Sequence, residues 1–117
     1  MDKPTVLHAF EALSSSARLD VYLLLVAAGP NGLVAGELAS RLDLPPSNLS
    51  FHLKNLSQAG LVTVAQEGRF QRYRANLVLM RDVTRFLADH CCGGHPEQCP
   101  ELDNTASCKP LSSLSCK

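Results

Sequence analysis

Residues 36–62 read GELASRLDLPPSNLSFHLKNLSQAGLV, and two adjacent prolines divide this stretch into two leucine periodicities. Proline has no N–H to donate and its ring clashes with the preceding turn, so Pro45 and Pro46 forbid one continuous helix here. Before them, Leu38, Ala39 and Leu42 fall on one helical face. After them, Leu49, Leu53 and Leu56 follow at i, i+4 and i+7. Two short helices joined by a tight turn are expected, with Ser47 or a neighbour opening the second and Gly60 closing it.

The flanks supply the rest of a fold. Val6, Phe10 and Leu13 place an apolar face on a first helix, and Ser14, Ser15 and Ser16 offer a break and a cap. From about Ala17 to Ala28, Leu19, Leu23 and Val26 repeat the helical spacing. Val21, Leu24 and Leu25 widen that stripe until it wraps much of the helix, as in a central core helix. Gly29, Pro30, Asn31 and Gly32 end it, and Leu33–Val34 reads as a short strand. Leu61 to Gln66 alternates with β-branched residues, Glu67–Gly68 turns the chain, and Phe70 to Asn76 returns as a partner strand. Period two puts Arg72 and Arg74 on one face of that strand and Gln71, Tyr73 and Ala75 on the other. A last helix from about Leu79 carries Val83, Phe86 and Leu87. Beyond Gly94 the chain is rich in Pro, Ser, Cys and acid, without periodicity. The expectation is a mainly α protein with a small β hairpin: a folded domain over 1–92 and a mostly irregular, Cys-containing tail over 93–117.

With 117 residues the chain suits one core and not two. Eleven Lys and Arg balance eleven Asp and Glu, so no global field announces a partner. The balance is local: between Gly36 and Arg85 seven Lys and Arg stand against four Asp and Glu, and Asp89, Glu97, Glu101 and Asp103 compensate later. The start, MDKPTVLHAF, has no long apolar core behind a basic end, and Val21–Ala28 is far short of a span. The five cysteines all lie between Cys91 and Cys116, unlike the spread of a disulfide scaffold. These features point to a cytoplasmic protein with reduced thiols and no membrane partner. Enzymatic chemistry finds little support, because no Gly-rich phosphate loop or paired-carboxylate pocket accompanies the thiols.

Helix, turn, helix, hairpin is the order of a winged helix-turn-helix, whose second helix enters the major groove while the hairpin reaches the backbone or minor groove. With Leu49, Leu53 and Leu56 turned inward, the remaining face of the second helix offers Ser47, Asn48, Ser50, Phe51, His52 and Lys54. Hydroxyls and amides bond to base edges or phosphates, and Lys54 neutralises a phosphate. Arg69 falls at the wing tip and Arg72 just behind it, both suited to the DNA backbone. A solvated helix carries similar residues, and Ser47 also fits a plain N-cap. Phe51 either tucks under the first helix or meets a thymine methyl; partial packing is the expected outcome.

The run from Ala12 to Asn76, through ALSSSARLDVYLLL, GELASRLDLPPSNLSFHLKNLSQAGLV and EGRFQRYR, resembles the ArsR/SmtB family of metalloregulatory repressors. Ser50, His52 and Leu53 match the S-x-H-L core of that family's recognition helix, and Gly60, Leu61 and Val62 its G-L-V entry to the wing. The resemblance implies a homodimer held by the first and last helices that represses a promoter until an inducer binds. Val83, Phe86 and Leu87 with Val6 and Phe10 agree, since they leave more apolar surface than one small winged fold covers. A two-fold dimer implies operator DNA with an imperfect palindrome.

The inducer must be read from the cysteines. The helix before the recognition helix, GELASRL, has none, so the C-V-C arsenic site of one family branch is missing. Cys91, Cys92 and Cys99 instead resemble the branch whose arsenite site lies at the carboxyl end of the last helix. Three thiolates suit a soft, pyramidal centre: trivalent arsenic, As(III), as arsenite or methylarsenite, or Sb(III) as antimonite. Gly93 and Gly94 permit the fraying that lets adjacent cysteines converge. Zinc, with His8, His90 and His95 as nitrogen donors, and a thiol-redox switch are the rivals. A buried, inert Cys91 is a further alternative. Cys108 and Cys116 read as spare thiols.

Overall fold

The computed structural model describes residues 1–90, 93–95 and 98. The chain divides into two compact units, Met1–Arg81 and Asp82–Lys117. In chain order the elements are α1 (Lys3–Leu13), α2 (Ser16–Ala28), a 3-10 turn (Gly29–Asn31), β1 (Leu33–Val34), α3 (Ala35–Leu42), α4 (Pro46–Gln58), β2 (Val62–Glu67), β3 (Phe70–Ala75) and α5 (Leu77–Asp89). The architecture is the expected one, mostly helical with a winged helix-turn-helix.

Local chemistry sets the boundaries. The Asp2 carboxylate accepts from the Thr5 N–H at 3.2 Å and opens α1, and the Thr5 hydroxyl first, then that N–H, hold its carboxyl below the usual range. The serine run divides its labour: Ser14 closes α1, while Ser15 caps α2 by accepting from the Arg18 N–H. The Glu37 carboxylate accepts from the Val34 N–H at the start of α3, and Asp43, in the left-handed region at φ 53°, ends it. Pro46 then occupies the first turn of α4, where its missing N–H costs nothing. The cap position belongs to Pro45, so Ser47 is not the N-cap. Asn76, expected to end β3, is the hinge into α5. Its side chain accepts from the Leu79 N–H at 3.2 Å and donates to the Gly60 carbonyl at 2.9 Å, starting α5 two residues earlier than the apolar pattern suggests.

The three strands form one antiparallel sheet in the order β1-β3-β2, with Leu33 opposite Tyr73 and Val62 through Glu67 opposite Ala75 through Phe70. Gly32 makes the approach of β1 possible: at φ 61° it lies in the left-handed region, and a Cβ there would collide with the Tyr73 carbonyl. Leu25, Leu38, Leu49, Leu53, Leu56, Leu61 and Val21 form the fully buried core of the first unit. Each such leucine contributes on the order of 2 kcal/mol by leaving water.

Two helices bury different faces from those expected. In α1 the buried residues are Val6, Ala9 and Ala12, while Phe10 is 42% exposed. Small alanines let α1 approach α2 and α4 closely, and a phenylalanine in that seam would hold them apart. In α2 the buried residues are Val21, Tyr22 and Leu25, whereas Leu19 and Leu23 face solvent in the single chain. Because α2 is apolar nearly all round, its spacing alone did not choose the inner face.

Candidate nucleic-acid interface

Helix α4 combines a narrow buried stripe with a broad polar surface. Leu49, Leu53 and Leu56 are almost completely buried, and α4 packs on α2, α3, α1 and β2. Residues advance by about 100° around a helix, which puts Ser47, Phe51 and Lys54 opposite that stripe, with Asn48 and Ser50 on either flank. All five are exposed. They come from two successive turns, so their hydroxyl, amide and ammonium groups form one continuous patch.

Two side chains depart from expectation. His52 is not on the outward face: it is half-buried, and its Nδ1 is buried without a hydrogen-bond partner among the described residues. It stands three residues after Leu49 and four before Leu56, hence on the border of the apolar stripe. Phe51 is not packed under the first helix. It is 60% exposed, with the His52 ring edge-on at a centroid distance of 5.9 Å.

The wing holds its cations unequally. Arg69 lies at the tip beside Gly68, exposed, with no hydrogen bond or ion pair to the described residues. Arg72 donates from Nε to the Glu67 carboxylate at 2.9 Å and from a terminal nitrogen to the Asn31 carbonyl at 3.1 Å. Arg74 donates to the Pro30 carbonyl at 2.9 Å and lies 3.7 Å from the same carboxylate. Glu67 thus sits between two guanidiniums, and the Arg72 hydrogen bond above all holds its carboxyl below the ordinary range. These bonds tie the hairpin to the turn after α2. Sequence reading gave neither Glu67 nor Arg74 a role, although Glu67 shares the parity of Ala65, which pairs with Arg72.

Cys91, Cys92 and Cys99 lie outside the described residues, as do Cys108 and Cys116. Just before them, the His90 Nδ1 bonds to the Phe86 carbonyl at 2.7 Å and its ring contacts Phe86 at 4.8 Å. Among the described residues no group of three His, Cys, Asp or Glu is placed to hold a metal ion. Also among them, no single helix is long and apolar enough to cross a membrane.

Known proteins place this geometry. A family model described as a helix-turn-helix domain matches residues 13–65. An ArsR-like transcriptional regulator from Rhodococcus is 31% identical, with a TM-score of 0.64 over 72% of this chain and 76% of that one. HlyU from Vibrio cholerae is 29% identical, with a TM-score of 0.61 over 78% of this chain and 99% of that one, and it has also been solved in a reduced form. A homodimeric winged helix-turn-helix DNA-binding domain from Mycobacterium bovis is 27% identical, with a TM-score of 0.61 over 74% of this chain and 80% of that one. No curated protein matches the chain.

Proposed function

The chain belongs to the ArsR-like transcriptional regulators, and we propose that it is a repressor that holds operator DNA as a homodimer and releases it when trivalent arsenic binds Cys91, Cys92 and Cys99. It is a DNA-binding regulator of ArsR/HlyU type, and its relatives are regulators rather than enzymes. The observation that carries the DNA reading is the exposed polar face of α4 together with the exposed Arg69 at the wing tip, neither bonded through its side chains to the described residues. Ser47, Asn48, Ser50 and the accessible edge of His52 meet base edges, while Lys54 and Arg69 take phosphates. Arg72 braces the wing through Glu67 and adds its charge along the backbone.

Dimerisation uses the first and last helices. Leu7 and Phe10 on α1 and Leu87 on α5 are exposed in the single chain, and the Mycobacterium bovis relative is a homodimer. Two-fold pairing calls for an imperfect palindrome with half-sites about one helical turn apart. In this reading residues 1–92 form the DNA-binding and dimerisation domain and end on Cys91 and Cys92, 93–117 form a mostly irregular tail that supplies Cys99, and the protein works in the cytoplasm.

The inducer reading is supported by donor chemistry. Three soft sulfurs within nine residues suit the three-coordinate, thiophilic As(III), and Sb(III) by the same logic. They follow α5 directly in sequence, so gathering them on one atom acts on the end of the dimerisation helix and thereby on the spacing of the two α4 helices. A coupling of about 1–3 kcal/mol suffices for such a switch. Cys99→Ser is expected to bind operator like the parent and to stay bound when arsenite is added, while Cys108→Ser and Cys116→Ser release normally. Normal release by Cys99→Ser would contradict the three-thiol site. A thiol-redox switch is the second reading, favoured by the reduced form of HlyU; there peroxide, not arsenite, would release the DNA.

A further inference from the structure

Phe51 is the only large apolar side chain on the outward face of α4, and it occupies the middle of that face. It follows Leu49 by two residues and precedes Leu53 by two, about 200° away from each at 100° per residue, so it points away from the core. Its exposure of 60% agrees, and His52 supplies only an edge contact. Ser47 lies one turn before it, Lys54 one turn after it, and Ser50 beside it, all exposed. An aromatic ring ringed by hydroxyls and an ammonium is unsuited to a protein core. It suits a surface with polar edges and one apolar spot.

The floor of the DNA major groove is such a surface. Its base edges and flanking phosphates take hydroxyl and ammonium donors, and its apolar feature is the 5-methyl group of thymine. We propose that Phe51 is a specificity-determining residue whose ring packs on a thymine methyl in each half-site of the operator. The inference rests on α4 being the helix that enters the major groove. A duplex seated on Ser47, Ser50 and Lys54 lies directly against the ring, and closing that contact removes water from ring and methyl together. Lacking a hydrogen-bonding group, Phe51 distinguishes thymine from cytosine by the methyl alone.

The test uses the full chain and DNA selected by it from a pool of random duplexes. The parent is expected to enrich a thymine at one fixed position per half-site. Replacing that thymine with deoxyuracil removes only the methyl and should weaken parent binding roughly fourfold per half-site, the worth of one methyl taken out of water. Phe51→Ala should bind the thymine and deoxyuracil forms alike, with an unchanged melting temperature because the side chain is exposed. Phe51→Leu, which keeps an apolar surface, should retain a methyl preference. Parent binding indifferent to deoxyuracil at every thymine overturns the assignment, as does a Phe51→Ala protein as methyl-sensitive as the parent. A parent that enriches no sequence removes the groove-reading role of α4, and this inference falls with it.

Discussion

Helix α4 and the β2–β3 wing both carry residues suited to DNA, but they hold them differently. On α4 the polar groups of Ser47, Asn48, Ser50 and Lys54 are exposed and make no side-chain hydrogen bonds to the described residues. On the wing, two of three arginines are already engaged: Arg72 and Arg74 close on Glu67 and on the carbonyls of Pro30 and Asn31. Among the described residues only Arg69, at the tip, has no such partner. Counting cations therefore overstates what the wing brings to a phosphate, since a guanidinium bound to a carboxylate must share or exchange that partner. Under the proposed function the helix reads, and the wing stays in place with one charge extended.

The largest effect expected on this contrast comes from beneath the helix. Leu53→Ala empties a site only 2% exposed and should cost about 2–5 kcal/mol of stability, by lost transfer energy plus the cavity left behind. Chemical denaturation checks it, and a cost below 1 kcal/mol would mean that α4 is not anchored by its leucine stripe. Next come the two DNA-facing roles. Ser50→Ala should narrow the gap between selected and random duplexes by about 1 kcal/mol, as loss of a base-edge bond does. Arg69→Ala should weaken both alike and lower the salt slope by about one unit. Equal loss on both duplexes for Ser50→Ala, or an unchanged slope for Arg69→Ala, would erase the division of labour between helix and wing.

The smallest effect lies in the brace itself. Because the folded carboxyl of Glu67 titrates below its ordinary value of 4.5, its ion pairs are fully in place above that value and are lost as pH falls through the lowered one. The Arg72 side-chain N–H should therefore keep its NMR shift from neutral pH down to about 5 and move only in stronger acid. Movement near neutrality would mean that the brace is absent in solution. Glu67 is exposed, so global stability should barely register the change.

The same contrast explains what could be read from the residues alone. The α3–α4 pair was legible because each helix has one narrow apolar stripe broken by Pro45–Pro46, and the hairpin because β-branched alternation flanks a glycine turn. The outward place of Phe51 and the border place of His52 were also legible, had each been measured by its spacing from Leu49 and Leu56 instead of by residue type. The inner face of α2 was not, since Leu19, Leu23, Val21 and Leu25 are equally apolar and only contact with other elements chooses among them. Nor were the carbonyls that hold Arg72 and Arg74, which come from residues 41 and 44 positions earlier. The tail's thiols were readable only as chemistry, and they lie outside the described residues.

The central claim, that arsenic on those thiols releases DNA held by α4 and the wing, meets its most direct test in one titration. The full chain bound to its selected duplex is titrated in parallel with arsenite, antimonite, zinc and peroxide, and the bound fraction is followed by fluorescence anisotropy. Release by arsenite near stoichiometry with the dimer's sites, matched by antimonite and absent with zinc and peroxide, is the result expected. Release by zinc alone, by peroxide alone or by none of the four would contradict it.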